Sequence, residues 1–237
     1  LRAQTWVLAA AAVGLAVGFA LLGQWQLRRA GEAEAAAADF ASRALLPALE
    51  VLPGTDAASE LRYRRVALRG HYLPQAQVLM DNMTRAGVAG YHVLTPFVAA
   101  GGVVAVNRGF VPAPPLRSEL PEVGVSSDVR TLRGRVETLP EPALRLDTED
   151  AGAGPVRVVS FPDPQDLERA FGRPVAGYQV LLDASEPDGF VRAWEPSGIR
   201  AERNLAYAGQ WFALSVATLV AGFGLLLRSA LRKRGDA

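Results

Sequence analysis

The chain has 237 residues, half of them apolar and 21% charged, with 25 Lys and Arg against 24 Asp and Glu and no Cys. The absence of cysteine excludes disulfides, thiolate metal sites, covalent c-type haem attachment and thiol catalysis. Residues 3–27 and 204–227 are both charge-free. Each exceeds the roughly 20 apolar residues that cross a bilayer, so a purely soluble protein is excluded unless one of them is cleaved off.

The first span is read over residues 5–23, with Trp6 and Trp25 near its ends. Nineteen helical steps separate the two rings by roughly 28 Å, close to the hydrocarbon thickness, and Trp is enriched at both membrane interfaces. The segment is longer than a signal-peptide core, and Gly23-Gln24-Trp25-Gln26-Leu27-Arg28-Arg29 is no small-residue cleavage site. It is read as a retained anchor, and the start at Leu1 implies a short preceding piece. Residues 30–40, rich in Ala and Glu, extend the helix until Pro47 and Pro53-Gly54 break it.

From Leu61 the pattern changes to short β-like runs punctuated by Gly and Pro. Strands are expected at 63–69, 78–81, 92–98, 103–107, 129–136, 156–161 and 178–182, with Ala99-Ala100-Gly101-Gly102 as a hairpin connection. Asp163 as N-cap, Pro164 at the first position and Asp166 in the first turn mark one short helix, whose apolar face is Leu167, Ala170 and Phe171. Residues 112–121 read as a Pro-rich loop. The expected layout is therefore two transmembrane α-helices flanking a β-rich α+β extracytoplasmic domain. Its parts are a first span at 1–27, an extension and linker at 28–60, the domain at 61–203, a second span at 204–227 and a basic tail at 228–237. That tail, with Arg228, Arg232, Lys233 and Arg234, favours cytoplasmic termini in a cell membrane.

Residues 30–203 hold 18 Arg against 23 Asp or Glu, a balance of −5, which argues against nucleic acid as a partner. Metal and haem ligands are scarce: His71 and His92 are the only histidines, and both read as surface or hydrogen-bonded strand residues. No HExxH, P-loop or Gly-x-Ser-x-Gly elbow is present. Glu149-Asp150 reads as a solvated turn. Nothing joins a nucleophile to a base, so no enzyme is expected. Arg62, Arg64, Arg65 and Arg69 form a basic strand that would suit anionic headgroups or an acidic partner. A solvated face balanced by the domain's carboxylates is the favoured reading.

Three groups of residues stand out. Asn107, Arg108 and Gly109 close an apolar strand and read as a structural motif, with Gly109 free to take positive φ. Gln24, Trp25 and Arg28 at the outer end of the first span, with Tyr207, Gln210 and Trp211 at the second, read as an interfacial belt or a docking collar for a membrane partner. Small residues recur every fourth position at Ala10, Gly14 and Gly18 and at Gly209, Ala213, Ala217 and Ala221, which predicts that at least one stripe is buried against a helix of this chain or of a partner.

Five segments resemble the Surfeit locus protein 1 family, and they occur in family order. They are Leu22-Gly23-Gln24-Trp25-Gln26-Leu27-Arg28-Arg29, Tyr63-Arg64-Arg65-Val66-Ala67-Leu68-Arg69-Gly70-His71-Tyr72 and Gly90-Tyr91-His92-Val93-Leu94-Thr95-Pro96. Val104-Ala105-Val106-Asn107-Arg108-Gly109-Phe110-Val111-Pro112 and Asn204-Leu205-Ala206-Tyr207-Ala208-Gly209-Gln210-Trp211 complete the set. The resemblance implies a membrane factor for assembly of haem–copper cytochrome c oxidase, acting as haem a enters the catalytic subunit. Its partners would be oxidase subunits or a larger respiratory supercomplex, together with membrane lipids. Some members are thought to bind haem through a His where this sequence has Asn204, and a neutral amide is a poor iron ligand. No resident cofactor is implied, and haem a at most in transient contact. The alternatives are a permanent accessory subunit of the mature oxidase and a haem a carrier.

Overall fold

The computed structural model describes residues 3–52, 58–116, 119–141, 156–194 and 201–235. Pro53-Gly54, Glu149-Asp150 and Arg200 lie outside the described residues, as do the side chains of Arg232, Lys233 and Arg234. In chain order the first elements are α1 (Ala3–Ala44), α2 (Ala58–Leu61), β1 (Arg65–Tyr72), β2 (Gln77–Arg85), β3 (Val88–Ala99) and β4 (Gly102–Pro112). The rest are β5 (Arg130–Thr138), β6 (Val156–Val159), α3 (Pro164–Phe171), β7 (Tyr178–Leu182) and α4 (Ala201–Gly235). Two compact units result, one of Leu1–Asp39 with Pro196–Ala237 and one of Phe40–Glu195.

In the first unit, α1 and α4 carry apolar windows of mean hydropathy 2.2 and 1.8, of which only 11% is buried. Leu21, Val220 and Phe223 are among the large apolar side chains turned outward. A soluble core helix would bury such residues; these helices are long and apolar enough to cross a bilayer. They pair antiparallel. Ala12 lies against Gly222, Ser215 Oγ donates to the Ala16 carbonyl at 2.8 Å, and Phe19 stacks on Trp211 with centroids 5.6 Å apart. Ala208, Ser215, Gly222 and Ser229 follow one another every seventh residue, the period that keeps one seam against a partner helix. A Cβ on Gly222 would stand 2.9 Å from that of Ala12, so the small residue sets the approach of the backbones.

This seam uses neither of the four-residue stripes, which leaves them to a partner helix. Gly14, Gly18 and Gly209 have nothing within 4 Å of an added Cβ, and Ala213 and Ala217 are exposed. Both four-residue stripes face away from the opposing helix. Within the pair the seven-residue rows are the ones that meet, because they drift less around a helix than four-residue rows do.

In the second unit the strands close on themselves. The order β1-β5-β7-β4-β3 returns to β1 through Gly70↔Ala99, His71↔Val98 and Tyr72↔Phe97, which makes a five-stranded barrel. β2 continues from the other half of β3 and carries β6 beside it. Pro96 sits where β3 leaves β2, whose pairing ends at Leu94, and joins β1, whose pairing begins at Phe97. A residue without N–H costs least at such a handover. Gly70 makes the closure feasible, since a Cβ there would overlap the Val98 carbonyl and the Phe97 ring.

Alternation along each strand fills the barrel with Val66, Leu68, Tyr72, Phe97, Val104, Val106, Leu132, Val136, Tyr178, Val180 and Leu182. A second layer covers the outside of β2, β3 and β4, where Val78, Leu94 and Ala105 meet Leu167 and Phe171 of α3. That helix starts on a capping box between Asp163 and Asp166 and stops at Gly172 in the left-handed region. The strands fall where the sequence places them, with three running much longer: β2 and β3 continue to a hairpin through Ala86 and Gly87, and β4 continues past Asn107 to Pro112. β7 has the expected bounds, β1 starts two residues later, at Arg65, and β6 stops short at Val159.

Candidate functional site

The site is built on the far half of β4. Val104, Val106 and Arg108 alternate towards the barrel interior, whereas Ala105 and Asn107 face out. The pairing shifts there: Leu94 opposes Asn107 and His92 opposes Phe110, so Val93 faces both Arg108 and Gly109. Gly109 takes φ +110°, and its N–H donates to Asn107 Oδ1 at 3.1 Å. Such a bulge bends the strand and re-aims its side chains.

Arg108 is only 1% exposed, yet among the described residues no carboxylate forms a salt bridge with it. Nε donates to the Asp188 carbonyl at 2.7 Å, Nη1 to Gln77 Oε1 at 3.1 Å and the Val123 carbonyl at 2.8 Å, and Nη2 to the Gly124 carbonyl at 3.0 Å. Thr95 Oγ1 joins the group by donating to Gln77 Oε1 at 2.8 Å. Rings of Tyr72 and Phe190 lie 5.8 and 5.0 Å from the guanidinium carbon. Burial lowers the Arg108 pKa from its ordinary value, but a guanidinium keeps its proton in proteins. The same burial pushes the Tyr72 phenol up to about 12, against the pull of Arg108 and Arg130. Arg108 is thus a charged plug satisfied by dipoles, and it gathers two loops, at 123–124 and 188, onto one end of the barrel.

On the outer face Asn107 Nδ2 donates to Gln179 Oε1 at 3.0 Å and lies 3.2 Å from His92 Nδ1. Gln179 Nε2 in turn donates to the Thr138 carbonyl. The His92 ring meets Trp194 edge to face at 5.6 Å. Burial, and then the charge of Arg85, lower the His92 pKa from its ordinary value.

Both faces of the bulge hold the segment that precedes the second span. Phe190 N–H donates to the Arg108 carbonyl at 2.7 Å, Phe110 and Val191 exchange backbone bonds at 2.9 and 3.1 Å, and Trp194 Nε1 donates to the Leu182 carbonyl at 2.7 Å. Chemically this is a mooring. Nothing in it pairs a nucleophile with a base, and among the described residues no group of three metal-ligating side chains converges.

The sequence singled out Asn107, Arg108 and Gly109 but not their partners Gln77, Thr95, Gln179, Asp188 and Trp194. Thr95 within the apolar run from Val93 to Val98, and Gln77 ahead of Val78-Leu79-Met80, were the available signal. Of the membrane-proximal residues, Trp211 is half-buried against Phe19, while Trp25 and Tyr207 are 47% and 45% exposed and Gln24, Arg28 and Gln210 are exposed. Trp25 shares with Gly14 and Gly18 the face of α1 turned away from α4.

The model of the SURF1 family matches residues 13–216. The SURF1-like proteins Rv2235 of Mycobacterium tuberculosis H37Rv and Mb2259 of Mycobacterium bovis, both described as uncharacterized, are each 29% identical to this chain. Each alignment spans 199 residues, 80% of this chain and 69% of the relative. The family match enters within the first apolar helix, takes in every strand of the barrel together with the Asn107–Arg108–Gly109 mooring, and ends inside the second apolar helix, so this chain belongs to the SURF1 family.

Proposed function

We propose that this chain is a non-catalytic membrane factor for biogenesis of haem–copper cytochrome c oxidase, associating with the catalytic subunit around haem a insertion. The family match over residues 13–216 carries the reading, because it reaches into both apolar helices and takes in the whole barrel. The chain works by holding and docking rather than by chemistry. The barrel is the rigid body, and the bulge at Gly109 fastens the segment leading to α4. The outward face of α1, with Gly14, Gly18 and Trp25, and the outward row of α4, with Gly209, Ala213 and Ala217, are the surfaces offered to partner helices. Gln24, Arg28, Tyr207, Gln210 and Trp211 supply the polar and aromatic contacts at the membrane boundary. The setting is a cell membrane, with cytoplasmic termini and the barrel outside.

The donors present do not fit a ligated haem. Neither apolar stretch contains His, Cys or Met, and Asn204 opens the second one. His71 lies in β1, and His92 in β3 has Nδ1 against Asn107.

The test is to delete the gene, measure haem a absorbance and oxidase activity in membranes, and restore both with the wild-type chain. Purification of the oxidase in mild detergent then separates the roles. Trace co-purification supports an assembly factor; stoichiometric retention replaces it with a permanent subunit. Normal oxidase in the deletion strain refutes the proposal.

A further inference from the structure

The barrel carries a concentrated positive face that its fold does not need. Val66 and Leu68 point inward on β1, so Arg65 and Arg69 point outward; Leu132 and Val136 point inward on β5, so Arg133 and Arg135 point outward. Arg65 stands directly opposite Arg135 in the β1–β5 ladder, and Arg133 opposes Ala67 between Arg65 and Arg69. Like charges placed opposite each other in a sheet are destabilising. Part of this charge is answered from within the chain. Arg133 Nη1 meets Glu186 Oε1 at 3.2 Å, and Arg135 lies over the Phe40 ring at 3.8 Å. The side chains of Arg65 and Arg69 are exposed and make no hydrogen bond or ion pair with a described residue.

The surroundings indicate what the open half accepts. Residues 30–203 as a whole are net negative, so four arginines on one ribbon face are segregated charge rather than average surface. At the occupied half the ligand is a carboxylate presented by a peptide segment, that of Glu186; Asp183 of the same segment bonds Ser185 and feels the charges of Arg65 and Arg135. A planar guanidinium pairs with carboxylate in a directed, two-pronged way.

We infer that the outer face of the β1–β5 ribbon, centred on Arg65 and Arg69, is a docking surface for an acidic segment of a partner protein. Its carboxylates would continue the row that Asp183 and Glu186 begin. This goes beyond the oxidase reading and stands without it, because it concerns carboxylate recognition whatever complex the partner belongs to.

The experiment uses the full chain in nanodiscs of neutral phosphatidylcholine and a fluorescent twelve-residue peptide alternating Glu and Ala. The matched peptide with Gln for Glu is the control. The Glu peptide should bind and the Gln peptide should not. Arg65→Gln with Arg69→Gln should weaken binding at least about tenfold, and about 0.5 M salt should abolish it. The double variant should melt at the wild-type temperature or above it, because a like-charge opposition has been relieved. Equal binding by the double variant overturns the inference, as does a fall in melting temperature of more than ~4 °C, which would make the arginines structural. Loss of peptide binding when the discs contain phosphatidylglycerol assigns the face to lipid headgroups and also overturns it.

Discussion

His92 Nδ1 stands 3.2 Å from Asn107 Nδ2, and the backbone fixes which way that amide points. Gly109 N–H donates to Asn107 Oδ1, so Nδ2 faces the ring, the ring accepts at Nδ1, and its proton sits on Nε2. A second proton, on Nδ1, would face an N–H donor with no acceptor to meet it.

From this follows a pH dependence with a definite sign. Burial lowers the folded pKa of His92 below its ordinary value, so the fold favours the neutral ring. That contribution is present above the unfolded pKa of about 6.5 and is lost as pH falls through the folded value. Melting of the detergent-solubilised chain should therefore drop on acidification more steeply in wild type than in His92→Gln. Parallel curves for the two proteins would show that the ring is not titrating against the fold.

Arg108 should be far less replaceable than an ordinary strand residue. Arg108→Ala leaves the carbonyls of Val123, Gly124 and Asp188 without the guanidinium donor in a buried site, and leaves the Gln77 amide oxygen with Thr95 alone. The cost is about 3 kcal/mol or more, so abundance and oxidase yield should fall together. Arg108→Lys should rescue only partly, because one ammonium cannot reach both loops. Normal abundance with failed oxidase assembly would instead make Arg108 a partner contact.

The helix seam can be read by cross-linking, since the chain has no native cysteine. Ala12→Cys with Gly222→Cys should form a disulfide on mild oxidation, because these residues face each other across the pair. Gly14→Cys with Gly222→Cys should not, since Gly14 points away from α4. Gly222→Leu should separate the helices. Gly14→Leu with Gly18→Leu should leave the pair intact and weaken only association with a partner helix.

What the sequence disclosed follows from the range of the interactions. Alternation within one strand is local, so all seven strands were legible, and so was the Asp163 start of α3. Their extensions were not: the turn at Ala86 asks a non-glycine residue to take φ +49°, which no Asn-Gly signal announced. Barrel closure depends on Gly70–Tyr72 meeting Phe97–Ala99, a pairing that only the finished fold selects. Arg108 and Gln77 are 31 residues apart, which hides their bond in the same way. In the helices the composition offered two sets of small residues, and the seven-residue set wins because Ser215 gains the Ala16 carbonyl and Phe19 gains Trp211.

Iron in haem proteins is held by strong side-chain donors, most often imidazole, and the position that could supply one beside the second span is Asn204. Met80 and Met83 lie in β2, away from either apolar helix in sequence, and His92 carries its proton on Nε2 while Nδ1 accepts from Asn107, so neither ring nitrogen has a free lone pair. Trp25 and Tyr207 provide aromatic surface but no strong ligand. The chain expressed in cells that make haem a should therefore purify without a stoichiometric low-spin haem spectrum, while still restoring oxidase in the deletion strain. Asn204→His should add such a spectrum if the helix end presents that position to the ligand. A His-type low-spin band in the wild-type protein would overturn this expectation, and its loss in His71→Ala or His92→Ala would then identify the ligand.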